Sequence, residues 1–139
     1  MFKARKEIEL SVRIGNRPRE LAGLLSAISA EQINILAYCA YSDRDEGVVL
    51  LVTEDTLRTQ QAIEQAGYLC KTNPVLVVGA PDRVGAVAAL GTRLGAAGVN
   101  ILCSYASADG RGRFCAVFKT NDDDLALQIL DSLSLDEAA

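Results

Sequence analysis

Histidine and tryptophan are absent from this chain of 139 residues, and its aromatic side chains stop at four tyrosines and three phenylalanines. Without histidine, the chain lacks the commonest general acid or base and the usual partner of a catalytic cysteine. Four cysteines are present, Cys39, Cys70, Cys103 and Cys115, but no two form a Cys-x-x-Cys pair, so a zinc site is not expected. They read as small buried hydrophobes with free thiols. No catalytic residue, metal ligand or cofactor is expected. Basic clusters are lacking too: the formal charge is −4, which argues against a nucleic-acid partner. No apolar run approaches bilayer length, and the N-terminal MFKARKEIEL has basic residues with no apolar stretch behind them. Neither membrane insertion nor secretion is indicated, and a cytoplasmic location is expected.

What is present is a repeat. Asn34-Ile35-Leu36 recurs as Asn100-Ile101-Leu102, an offset of 100 − 34 = 66 positions. Sliding the chain by that offset, without gaps, sets Leu10 on Leu76, Val12 on Val78, Arg17 on Arg83, Leu24 on Leu90, Ala40 on Ala106, Asp43 on Asp109 and Ile63 on Ile129. Two copies of one module are the economical reading, 1–72 and 73–139. Modules this small should pack on each other, and the absence of a linker predicts a fixed relative geometry.

Within the first copy, EIELSVRIG alternates as a strand does, and PRELAGLLSAISAEQ shifts to helical spacing with Leu21, Leu24, Leu25 and Ile28. INILAYCAYS and EGVVLLVTE read as a hairpin. TLRTQQAIEQAG reads as a helix with Ala62, Ile63 and Ala66 inward and Gly67 as its stop, and YLCKT as a fourth strand. The second copy repeats the order, with Val87 and Leu94 inward on its first helix. Each module is thus β-α-β-β-α-β, an α+β ferredoxin-like arrangement in which an antiparallel sheet carries both helices on one face. The last strand of the second copy, expected from Leu135, is short or missing, which leaves a sheet edge open or covered by a partner and favours a homodimer.

Function on this fold must come from sites. The loop after the first strand is GNRPRELAG in one copy and APDRVGAVA in the other. It lacks the Cys-x-x-Cys of a metallochaperone and the glycine-rich cradle of an acylphosphatase, and Phe114 and Phe118 are weak support for RNA stacking. A strand end opening onto a helix N-terminus does suit a carboxylate, and Asn16 or Asp82 can accept hydrogen bonds from an ammonium group. Both residues also suit helix capping, and Asn34 and Asn100 suit a turn.

NRPRELAGLLSAISAEQINI resembles the opening of an ACT domain, the βαββαβ regulatory module with Asn/Asp-x-Pro-Gly-x-Leu, a helix, then Gly-x-Asn-Ile. PDRVGAVAALGTRLGAAGVNI fits the same pattern, and the resemblance covers essentially the whole chain. It implies two antiparallel sheets set side by side and an amino-acid sensor without catalysis, binding a free amino acid where two modules meet and signalling to a regulated enzyme partner. By position, the implied ligand-binding residues are Asn16, Arg17, Pro18, Arg19, Asn34 and Ile35 in the first copy and Asp82, Arg83, Val84, Gly85, Asn100 and Ile101 in the second. Arg19 replaces the motif glycine and Val84 the motif proline, so unequal sites are expected, the better one built around Asp82, Arg83 and Gly85 and completed by Asn34. The alternative is a ligand-free assembly module acting through sheet edges.

Overall fold

The structure is a computed structural model, described here for residues 2–133. Its elements run β1 (Lys3–Gly15), α1 (Glu20–Ala30), β2 (Ile35–Asp43), β3 (Glu46–Thr53), α2 (Thr56–Gln65), β4 (Cys70–Pro81), α3 (Ala86–Ala96), β5 (Ile101–Ala108), β6 (Arg113–Thr120) and α4 (Asp123–Asp131). The α+β class and the repeated element order are as the sequence predicts. The strand YLCKT and the strand that follows it are one element, β4, which ends one unit and begins the other.

The first compact unit is Ile8–Asn73. Its strand order is β2-β3-β1-β4, with β3 antiparallel to both β1 and β2. Leu10, Val12 and Ile14 alternate on β1 and meet Val49 and Leu51 of β3; Leu24 and Ile28 of α1 and Ile63 of α2 close the same core. Both helices therefore lie on one face of this sheet. Leu24 and Ile28 are fully buried, worth roughly 1.5–3 kcal/mol each. The unbroken run Val48 to Val52 is explained by burial on both faces of β3. Asp55 caps α2, its side chain accepting from the Arg58 N–H at 3.1 Å. Gly67, at φ 93°, follows the helix end as expected, but Ala66 is the C-cap and is exposed, not inward.

The second unit holds residues 74–133 together with the residues before Ile8. Its strand order is β1-β4-β6-β5, so Lys3–Glu7 of β1 stand beside β4, where the fourth strand of a ferredoxin-like module belongs. Phe2 is 6% exposed within a core formed by Leu76, Leu90, Leu94, Phe118 and Leu130, and Ala4 packs against it. The Lys6 ammonium pairs with Asp124 of α4. Two expectations change. The N-terminal residues, placed by sequence in the first module, serve the second, and the edge beside β4 is neither open nor in need of a partner. The strand expected from Leu135 lies outside the described residues. Phe114 and Phe118 are buried, which removes the stacking surface that RNA recognition requires. Val87 is half exposed, the inward positions of α3 being Ala86, Leu90 and Leu94. None of the four cysteines is buried: three are intermediate and Cys115 is exposed. No helix among the described residues is long and apolar enough to cross a membrane.

Candidate functional site

The loop between β1 and α1 is tied to the β2–β3 hairpin. The Asn16 N–H donates to the Asp45 carbonyl at 3.2 Å, and Asn16 Nδ2 to the Arg44 carbonyl at 3.2 Å. Asn16 is thus a hairpin tether and not a helix cap; the N-cap of α1 is Arg19, which makes no side-chain capping bond. In the second unit the Asp82 N–H donates to the Gly112 carbonyl at 2.8 Å, and the N-cap of α3 is Gly85, again with no side-chain cap. Asp109 steadies that hairpin by accepting from the backbone N–H groups of Arg111 (2.6 Å) and Arg113 (3.2 Å). Those bonds hold its carboxyl below the usual range.

This tethering shapes a small pocket at the same place in each unit. The first, about 190 Å³, lies between the end of β1 (Ile14, Gly15), the loop residues Asn16 and Arg17, Leu21 of α1, the end of β2 (Ala40, Tyr41, Ser42) and the start of β3 (Gly47, Val48). Gly47 is required there, because a Cβ would approach Ile14 Cγ1 at 2.9 Å. The second, about 210 Å³, is lined by Asp82, Arg83, Ala86, Val87, Ala106, Ser107, Ala108 and Phe114. Subtracting 66 from these numbers returns lining residues of the first pocket at every position but Ala86, whose counterpart is Glu20.

Glu20 marks the main chemical difference. Its Oε1 accepts from Arg17 Nη2 at 2.5 Å and its Oε2 from the Tyr68 hydroxyl at 2.7 Å. The Tyr68 bond first, and Arg17 second, pull the Glu20 carboxyl below its ordinary value, while the same bond raises the Tyr68 phenol. The ion pair folds over Gly15, where a Cβ would lie 3.0 Å from the Arg17 guanidinium and 3.1 Å from the Glu20 carboxylate.

Of the residues singled out by sequence, Asn16 and Arg17 line the first pocket, and Asp82 and Arg83 the second. Pro18, Arg19, Val84 and Gly85 are exposed on the loops beside them, Val84 fully so. Asn34 and Asn100 line neither pocket. They stand at the far end of the hairpin, since Ile35 pairs with Thr53 at the opposite end of the β2–β3 ladder from Asp43 and Glu46. There the Asn34 N–H donates to Glu54 Oε1 and the Asn100 N–H to Asn121 Oδ1, both at 2.9 Å. Ile35 and Ile101 pack against the cores. The sequence reading missed Ala40, Tyr41, Ala106, Ser107 and Phe114 as pocket walls. The signal was the identity of Ala40 and Ala106 within the repeat.

No protein-family model and no curated protein matches this chain. Solved structures do. A protein of Bacteroides thetaiotaomicron superposes with TM-score 0.85 at 23% identity, over 92% of this chain and 88% of that one. The ligand-free regulatory subunit of aspartate kinase from Thermus thermophilus gives TM-score 0.72 at 13% identity over 94% of each chain. The allosteric aspartate kinase of Clostridium acetobutylicum gives 0.63 at 12% identity, covering 93% of this chain and 33% of that one. In fold, the chain has the tandem ACT-type arrangement of these regulatory domains.

Proposed function

We propose that this protein is a regulatory sensor without catalysis of its own, which binds a free amino acid and passes its occupancy to an enzyme partner. The observation that carries the reading is the recurrence of one pocket in both units, each with an ammonium acceptor, Asn16 or Asp82, next to an arginine. An anionic or carbonyl acceptor beside a guanidinium suits a zwitterion. The similarity to a regulatory subunit and to an allosteric kinase supports regulation as the role. Regulation then requires that the ligand bind one arrangement of the chain or of its complexes more tightly than another. A homodimer through the outer strands β2 and β5 is one such complex, and the wider assembly role would use the same edges.

The test is a thermal-melt screen against the twenty amino acids at millimolar concentration. A ligand at about 100 times its Kd adds roughly 2.7 kcal/mol and raises Tm by a few degrees. A shift with one amino acid or a related few supports sensing, and its loss in Asp82→Ala or Asn16→Ala locates it. No shift with any of the twenty sinks the reading in favour of an assembly module.

A further inference from the structure

The second pocket has a more specific chemistry than the first. Its polar end is Asp82 with Arg83, an anion beside a cation, where the first pocket has the neutral Asn16. Its other walls are Ala86, Val87, Ala106, Ser107, Ala108 and Phe114, and the position that carries the Glu20 carboxylate in the first unit is the buried methyl of Ala86. Tyr41 of the first pocket is replaced by a shorter Ser107. The volume, about 210 Å³, falls below the roughly 300–1,000 Å³ typical of drug-sized ligands, so the occupant is small.

We propose that the second-unit pocket takes an α-amino acid with an aliphatic side chain, its ammonium on Asp82, its carboxylate toward Arg83 and its hydrocarbon against Val87, Ala106 and Phe114. The inference rests on the sensing role proposed above and narrows it to a ligand class. A charged or amide side chain entering this end would leave water for walls that are mostly methyl groups and an aromatic ring, where the Ser107 hydroxyl alone offers it a side-chain hydrogen bond, and would bind more weakly. An aliphatic side chain instead gains from every methylene it buries.

Isothermal titration of the full chain with leucine, isoleucine, valine and methionine, against aspartate, glutamate, lysine and glutamine, decides the matter. The expected result is binding by one or more of the first four at least tenfold tighter than by any of the second four, lost on Ala106→Leu, which fills the pocket. If that variant fails to fold, ligand-to-protein nuclear Overhauser contacts at the Val87 and Ala106 methyls of the unaltered chain report the same location. Preference for a charged or amide ligand, or binding with no contact at those methyls, overturns this inference and leaves the sensing role standing. Failure of all four aliphatic amino acids to bind also overturns this inference, and the absence of a shift with any of the twenty in the thermal-melt screen overturns both.

Discussion

Arg19 and Gly85 hold the same left-handed backbone conformation, φ 75° and 86°, at the N-caps of α1 and α3. The pattern extends along the repeat: Gln32 (φ 59°) corresponds to Gly98 (φ 79°), and Arg44 (φ 60°) to Gly110 (φ 73°). The second unit meets these positions with glycine, which has no Cβ to clash, and the first meets them with side chains. The motif backbone thus survives where the motif glycine does not.

The first prediction is that Arg19→Gly stabilises the protein. Left-handed geometry costs a non-glycine residue about 1–2 kcal/mol, and glycine returns part of that as unfolded-chain entropy, leaving a gain of about 0.5–1 kcal/mol. Gly85→Arg should cost about 1 kcal/mol through strain alone, since no atom lies within 4 Å of the added Cβ. Urea titration of both variants checks the opposite signs. Equal signs would mean that the two caps differ in geometry.

The repeat also explains what was legible in the sequence. An ungapped offset conveys the element order twice over, and the alternation of Leu10, Val12 and Ile14 or the helical spacing of Leu24 and Ile28 conveys the burial pattern. The N-terminal strand was not legible, because Lys3, Arg5, Lys6 and Glu7 surround only Phe2 and Ala4 with charge. A strand supplied from the far end of the chain leaves no local periodicity to read. The pocket walls escaped for a related reason: Ala106 and Ser107 carry no chemistry alone and become walls only where the tethered loop approaches the end of β5.

The second prediction follows from that strand. Phe2→Ala should destabilise by about 3 kcal/mol, the cost of emptying an aromatic site in a core. Lys6→Ala removes only a solvent-exposed ion pair and should leave stability within error. Native-state hydrogen exchange should show the Phe2→Ala loss on β4, β6 and α4. Loss confined to Ile8–Asn73 would refute the assignment of the N-terminal residues to the second unit.

A third prediction concerns two buried hydroxyls. Thr59 Oγ1 donates to the Asp55 carbonyl at 2.7 Å, so the 2.6 Å contact between the threonines requires Thr53 to donate to Thr59. Thr59→Val removes that acceptor and strands a buried donor, at about 1–3 kcal/mol. Adding Thr53→Val removes the stranded group, so the double variant should be more stable than the Thr59→Val single. A thermodynamic cycle over the four proteins measures this, and strict additivity would deny the bond.

The last prediction is a pH dependence that the Glu20 network imposes. Glu20 is held below its ordinary carboxyl value by the Tyr68 hydroxyl first and Arg17 second. A depressed carboxyl stabilises the fold fully above its unfolded pKa, and that contribution is lost as pH falls through the folded value. Tyr68, raised by the same bond, acts at the opposite end: its contribution is complete below the unfolded phenol pKa and disappears as pH rises through the folded one. Tyr68→Phe should therefore move Glu20 back up toward the ordinary range and remove the contribution of the Tyr68 phenol at alkaline pH. Carboxyl-carbon NMR titration of Glu20 in both proteins reads the first effect directly. An unmoved Glu20 would assign its depression to Arg17 alone, in which case Arg17→Met, not Tyr68→Phe, would restore it.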